Sequence, residues 1–334
     1  MVGIKTKRAV CMAVAVALLG LANTAARAET RLRLISPWPS NLAIVETSET
    51  AYINAVREAS NGEIIIERSG PEVIPPFQQL EPLSAGVMDL MLSTPAYHQG
   101  DTGVGALISG ILTPDTDKLR ETGVMDWINN YYREKFGVVI LAIFADPPNQ
   151  FVLTKPLSED GTLSGMKIRS NANFEGIVRG LGAAPVNLPG ADIYPAMQKG
   201  VIDGTSVTTH AAADFKFYEV GKYMTRPTWG FTTRFLVASA QKFDALPDEE
   251  RKILQDEALK MERYAAESTA KIAEEQTAIM MENGVQIAEF PADVADDLER
   301  LFAEGVIEVA MKSDPEAVQE LLDLAREKGV LANP

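Results

Sequence analysis

Among the side chains that could do chemistry, Arg169 has the most telling surroundings. It ends an extended run, Met166-Lys167-Ile168-Arg169, and a helical pattern with apolar Phe174, Ile177, Val178 and Leu181 follows until Gly182 stops it. A guanidinium at the carboxyl end of a strand can give two parallel hydrogen bonds to a carboxylate. On the residues alone, a structural acid would serve as that partner as well as a ligand would. The catalytic inventory is otherwise thin. There is no G-x-S-x-G nucleophile elbow and no G-x-x-x-x-G-K-[ST] phosphate loop. Two dinucleotide-like glycine runs fail at their last positions, Pro185 and Ile108. His98 and His210 are the only imidazoles and lack H-x-x-x-H spacing, so they would share a metal only with Asp101 or Asp203 brought close in space. Glu249-Glu250 and Asp296-Asp297 read as solvated helix faces. Nothing here assembles a reaction, so neither an enzyme, a cofactor nor a metal site is expected.

The elements that must position Arg169 alternate in type. After the strand ending there come a helix, a second strand (184–188), a second helix (191–199) closed by Gly200, and a third strand opening at Val201-Ile202-Asp203. Strands alternating with helices of about ten residues indicate right-handed crossovers and a mainly parallel sheet, whose strand carboxyl ends hold ligands. The same alternation starts the chain, with strands at 32–36, 64–68, 87–93 and 138–144 and helices at 43–59, 78–85 and 119–135. Thr94-Pro95-Ala96-Tyr97-His98 also follows a strand directly. Gly86-Val87-Met88-Asp89 echoes Gly200-Val201-Ile202-Asp203 at an offset of 114 residues, about one domain length, which points to two similar α/β lobes. A proline and three acids at Pro247-Asp248-Glu249-Glu250 open a helical pattern that runs unbroken to Asn283-Gly284. Its length of roughly 54 Å is more than one small lobe needs, so it is expected to cross both. A strand at 285–289 and helices near 294–311 and 316–328 close the chain.

The first 28 residues read as a removable export signal: basic Lys5, Lys7 and Arg8, an apolar run from Ala9 to Leu21, and Ala26-Arg27-Ala28 as an A-x-A cleavage site. That run is shorter than the roughly 20 residues of a spanning helix, so no direct membrane insertion is expected. Cys11, the single cysteine, lies within it, which leaves the mature chain without disulfides or thiolate chemistry. Removing residues 1–28 deletes four basic side chains and no acid, moving the formal charge from −15 to −19. An acidic body disfavours nucleic acid and anionic lipid as partners, and a small anionic ligand would need a local, dedicated cation.

At Gly165-Met-Lys-Ile-Arg169, Leu181-Gly182-Ala-Ala-Pro185-Val186 and Tyr194-Pro-Ala-Met-Gln198-Lys-Gly200-Val-Ile-Asp203-Gly204, the chain resembles a known family. The resemblance is to the periplasmic solute-binding proteins of tripartite ATP-independent (TRAP) transporters, of the C4-dicarboxylate-binding type. Tyr218-Glu219-Val220-Gly221-Lys222-Tyr223 and Phe243-Asp-Ala-Leu246-Pro247 extend it over essentially the whole mature chain. It implies two α/β lobes with a long helix spanning both. Carried onto this sequence, lobe one is 29–147 plus 234–275 and lobe two is 148–233 plus 276–334. It further implies a periplasmic protein whose interlobe cleft closes by hinge motion on an organic acid, whose Arg169 holds the acid's carboxylate, and which delivers the acid to membrane permease subunits.

Departures from the family pattern shape the expected ligand. Members that bind sugar acids often carry a second arginine 20 positions before the first, where this chain has Asn149. The polar stretch after Asp203-Gly204 is Thr205-Ser206-Val207, and a usual histidine is replaced by Trp229. One strong cation therefore remains. The expectation is a small monocarboxylate with an apolar or aromatic body, fixed by Arg169 and Asn149. Trp38, Tyr97, Phe151, Trp229 and Phe231 would line the rest, and Asn171, Thr209 and His210 would donate to a keto or hydroxyl group. Dicarboxylate or keto-acid binding is the nearest alternative. An exported small-acid lyase or isomerase using His98 or His210, a ligand-presenting sensor, and a metal bridge through Asp203 or Asp89 are the others.

Overall fold

The computed structural model describes residues 29–98 and 103–332. The expected export signal with Cys11, and Asp101 of the histidine–carboxylate reading, lie outside the described residues. The strands in chain order are β1 (Thr30–Ile35), β2 (Ile64–Ser69), β3 (Leu90–Ser93), β4 (Val138–Ala145), β5 (Asn149–Leu153) and β6 (Lys167–Ser170). They continue with β7 (Ala184–Asn187), β8 (Gly204–Thr208), β9 (Tyr223–Arg226), β10 (Thr233–Ser239) and β11 (Gln286–Glu289). Two sheets result, one in the order β2-β1-β3-β10-β4 and the other in the order β11-β9-β5-β8-β6-β7. Helices cover both, in agreement with a two-lobed α/β fold. The near-continuous apolar run of β4, Val138-Val-Ile-Leu-Ala-Ile-Phe144, is what a strand buried on both faces requires.

Each sheet is parallel except for one member. β10 runs antiparallel to β3 and β4, and β5 runs antiparallel to β8 and β9. These two are the strands entered directly after the chain crosses between sheets. The crossings lie side by side as a short ribbon. Asp146 N–H donates to Thr232 O at 2.8 Å, and Asn149 and Trp229 exchange main-chain hydrogen bonds at 2.9 and 3.0 Å. The ribbon sets the carboxyl end of β4 and the start of β10 beside the second sheet.

The four-residue echo has a shared structural meaning. Val87 N–H closes onto Pro82 O and Val201 N–H onto Ala196 O, each wrapping the end of a short helix. Gly86 and Gly200 make those wraps at φ of +70° and +68°, where an L side chain is strained. Asp89 Oδ2 then accepts from Arg33 N–H at 2.7 Å, and Asp203 Oδ2 from Lys167 N–H at 2.9 Å. In both sheets the aspartate clamps the neighbouring strand, at the middle of β1 and at the start of β6. Both carboxylates have further structural partners, since Asp89 also meets Arg33 Nε at 3.2 Å and Asp203 meets Lys155 Nζ at 2.8 Å.

Several boundaries differ from the sequence expectation for local reasons. The helix expected over 119–135 is two, Thr116–Glu121 and Val124–Phe136, separated at Gly123 with φ +76°. The helix expected from residue 43 begins as a wide π turn, Val45–Thr50, before the α-helix Ala51–Ala59. There Thr47 and Ser48 hydroxyls donate back to the carbonyls of Ala43 and Ile44, a bond pattern that loosens helices. The strand expected at Val201 starts at Gly204, because residues 201–203 complete the helix wrap and the aspartate clamp. Strands β5 and β9 and the helix Gly103–Ile108 were not anticipated.

The helix expected to be long runs from Asp248 to Glu282. It packs on β4 and the 51–59 helix of the first sheet's lobe and on the Thr209–Asp214 helix of the second's. Its buried Glu262 takes Arg120 in a two-point ion pair and also accepts Ile143 N–H at 2.6 Å. The helix Ala292–Ser313 packs against both 103–108 and 175–180. At the second contact Gly305 meets Gly176 so closely that an added Cβ on Gly305 would lie 2.6 Å from the Gly176 Cα.

Candidate ligand-binding site

A cavity of about 80 Å³ lies between the two sheets, lined by residues of both lobes. From the second sheet comes Arg169, near the carboxyl end of β6 and 4% exposed. Its Nε donates to Leu188 O at 2.8 Å and its Nη1 to Ser206 O at 3.3 Å. Among the described residues it forms no salt bridge. Main-chain carbonyls aim the guanidinium without neutralising it, and burial pushes its pKa below the ordinary arginine value while the neighbouring Tyr97 hydroxyl opposes the shift. A buried cation without a counter-ion is unfavourable by several kcal/mol in general, and a ligand carboxylate offsets that.

The first lobe supplies Trp38, Ile44 and Tyr97 to the wall. Trp38 is held from behind by a buried network. Arg68 bonds both Glu49 and the Trp38 carbonyl, and Ser36 Oγ donates to Glu49 Oε1 at 2.6 Å. Tyr97 reaches across the cleft, its hydroxyl accepting Gly190 N–H at 3.0 Å. Ile44 N–H likewise donates to Asp214 Oδ2 of the opposite lobe at 3.1 Å. These contacts hold the lobes in a closed arrangement.

The residues expected at the site divide into groups. Arg169, Trp38, Tyr97, Asn171 and His210 all line the cavity, and Asn171 Oδ1 and His210 Nδ1 are buried without a partner among the described residues. Thr209 and Asn149 are buried beside it without lining it, their polar side-chain atoms also unpartnered. Phe151 and Trp229 belong to the packing beneath it. Trp229 packs edge-on against Phe174 and at a tilt against Phe151 and Phe302, with ring centroids 5.3, 5.2 and 5.4 Å away. Of these, only Phe174 reaches the cavity. Phe231 lines two other grooves, with Pro114 on the outer side of the crossing ribbon.

The expectation of a single strong cation is corrected by Arg234. This residue lies on β10, is 8% exposed and lines the same cavity. Its Nε donates to Asp146 Oδ1 at 2.7 Å, its guanidinium carbon stands 5.6 Å from the Phe144 ring centroid, and its Nη1 is buried without an acceptor. Sequence reasoning passed over it, although an arginine inside an apolar strand, Arg234-Phe-Leu-Val-Ala238, is itself a signal because a buried charge demands a partner. Asp214, also missed, faces His210. Burial pushes His210 down and Asp214 up from their ordinary values, so both are driven toward the neutral form. His98 lies outside this cavity, against Ser93. Among the described residues no group of three or more His, Asp or Glu is placed to hold a metal.

Comparison with known proteins agrees with this architecture. A solute-binding protein of Albidiferax ferrireducens is 25% identical over 245 residues, covering 70% of this chain and 72% of its own. The ectoine-binding periplasmic protein of Halomonas elongata is 26% identical over 126 residues, 36% of each chain. In fold, the chain is similar to a TRAP periplasmic solute-binding protein of Desulfovibrio salexigens solved with orotic acid, with a TM-score of 0.79, 19% identity, and coverage of 90% of this chain and 98% of that one. It is also similar to a Bordetella pertussis extracytoplasmic solute receptor binding pyroglutamic acid, with a TM-score of 0.77, 19% identity and coverage of 89% and 99%. The family model of the bacterial extracellular solute-binding proteins, family 7, matches residues 51–310, and the chain belongs to that family.

Proposed function

We propose that this protein is the extracytoplasmic solute-binding subunit of a TRAP transporter and that it captures a small organic acid between its lobes for delivery to membrane permease subunits. The observation that carries this reading is Arg169, a buried guanidinium aimed into an interlobe cavity by main-chain carbonyls and lacking an acid partner among the described residues. The acid is a monocarboxylate with an apolar body. Support comes from the apolar part of the cavity lining, where Trp38, Ile44, Phe174, Ile193 and Phe215 offer an apolar body its contacts. Some similar solved receptors hold pyroglutamic acid, orotic acid and, in a marine metagenome protein, metahydroxyphenylacetate, while others hold malonate, galacturonate or galactonate.

In this reading the lobes are 29–147 with 234–275 and 148–233 with 276–334, and they open about the paired crossings near Asp146–Asn149 and Trp229–Thr232. Export places the chain in the periplasm after loss of residues 1–28. Among the described residues no helix is long and apolar enough to cross a membrane. The protein performs no chemistry on its ligand. Mass spectrometry of candidate acids after incubation tests that point, since turnover would change their mass.

Titration calorimetry with a panel of mono- and dicarboxylates tests the central claim. Monocarboxylates should bind, and Arg169→Ala should weaken them by about 2–5 kcal/mol, the cost of removing a desolvated charge partner. Tight binding of dicarboxylates alone would sink the monocarboxylate assignment. Undiminished binding by the Arg169 variant would sink the role of the cleft cation.

A further inference from the structure

We infer that the Arg234–Asp146 pair is a second ligand-reading device, which accepts a neutral carbonyl or hydroxyl oxygen on the body of the acid and turns away a second carboxylate. This rests on the assignment of the ligand's carboxylate to Arg169. The two arginines line one cavity but differ in electrostatic state. Arg169 bonds main-chain carbonyls and the neutral Tyr97 hydroxyl but no acid among the described residues, so its charge is open to one anion. Arg234 is already neutralised through Nε by Asp146 at 2.7 Å, and Thr232 Oγ1 stands 3.4 Å from the other oxygen of that carboxylate.

What Arg234 still offers is a donor. Its Nη1 is buried without an acceptor, and burying an unmade donor is more unfavourable than making its bond is favourable. A ketone, amide or hydroxyl oxygen would complete it without adding charge. A second carboxylate would complete the donor too, but it would stand beside Asp146. In a site from which water is largely excluded, that repulsion is weakly screened. The device therefore combines attraction for one class of ligand with an element set against another. A site with a buried polar group also rejects analogues that leave that group unpaired. His210 and Asn171 face the same space with buried, unpartnered Nδ1 and Oδ1 atoms and extend the polar side of the cavity. Phe144, under the guanidinium at 5.6 Å, fixes the plane in which Arg234 presents its donor.

Three acids of equal chain length separate the possibilities in calorimetry: valerate with an apolar end, levulinate with a ketone, and glutarate with a second carboxylate. The wild-type protein should bind levulinate at least about tenfold more tightly than valerate or glutarate, the scale of one hydrogen bond to a charged donor. Asp146→Asn keeps the shape of the carboxylate but frees the charge of Arg234. It should move the glutarate-to-levulinate affinity ratio at least about tenfold toward glutarate. The double variant Arg234→Met with Asp146→Asn removes both charges of the pair together, so neither is left buried alone, and should erase the preference for levulinate over valerate. Thermal melts report whether each variant is folded. A crystal structure of the wild-type protein with levulinate gives a readout independent of the variants, with the ketone oxygen expected against Arg234 Nη1. A wild-type preference for glutarate, an unchanged ratio in Asp146→Asn, or a ketone facing elsewhere would overturn this inference and leave Arg169 as the carboxylate site. Failure of every acid to bind the wild-type protein would overturn both.

Discussion

Arg169 and Arg234 are the same residue type in the same cavity, and their surroundings give them different tasks. One is aimed by carbonyls and keeps its charge, while the other is neutralised by Asp146 and keeps a donor. Only the context of Arg169 was legible in the sequence, because a strand end followed by a glycine-stopped helix is a local pattern. Asp146 and Arg234 are 88 positions apart, and nothing local joins them. His98 permits a prediction at this scale. Burial lowers its pKa from the usual 6.5 to about 4, so the folded chain favours the neutral ring. Between those values the unfolded chain binds the extra proton, and stability must fall as pH falls. Urea denaturation should show a loss of roughly 2–4 kcal/mol between pH 6.5 and 4 that depends on this imidazole. A His98→Asn variant should lose correspondingly less over that range. Equal slopes for the two proteins would disprove the assignment.

At the scale of elements, the long helix and the terminal helices read clearly from periodicity and capping. The expected 285–289 strand appears as Gln286–Glu289, and the expected 316–328 helix as Pro315–Lys328. Short strands were harder. β5 and β9, with buried polar residues such as Gln150 and Thr225, lack the apolar run that announces a strand, and buried Thr205 in β8 blurred where that expected strand starts. Their polarity is satisfied by neighbours that only the sheet supplies, as when Thr225 Oγ1 accepts Phe151 N–H at 3.0 Å. The crossing of the 292–313 helix over residue 176 depends on two glycines distant in sequence. Gly305→Ala would force a methyl group into the Gly176 backbone and should destabilise the fold by about 1–3 kcal/mol, as overpacking does elsewhere. Chemical denaturation checks this, and a change of only a few tenths would mean that the helices do not approach so closely.

The whole molecule is held shut by a few cross-cleft bonds and spanned by one helix. The hydroxyl of Tyr97 satisfies Gly190 N–H only when the lobes meet, whereas water serves that group in an open form. Tyr97→Phe should therefore tilt the equilibrium toward opening by about 0.5–1.5 kcal/mol and weaken ligand binding by a corresponding factor of roughly two to ten. Small-angle scattering of the unliganded variant should show a larger radius of gyration than the wild-type protein. Unchanged affinity and radius together would remove Tyr97 from the closure mechanism. The 248–282 helix packs on β4 and on the 209–214 helix, and Glu262 anchors it to the first sheet's lobe through Arg120 and Ile143.

By itself the sequence determined the α/β alternation, the long bridging helix, the echo around Asp89 and Asp203 that marks two similar lobes, and the importance of Arg169. Each of these is written in residues close together, where periodicity, glycine conformations and capping act over a few positions. The tertiary structure alone decided which polar side chains share a cavity. It placed Phe151 and Trp229 in packing, put Phe231 on an outer groove, and brought Arg234 and Asp146 to the ligand's side. Those outcomes depend on how two sheets meet across paired crossings. Long-range geometry of that kind leaves its trace in single residues, such as a charge in an apolar strand, rather than in any local pattern.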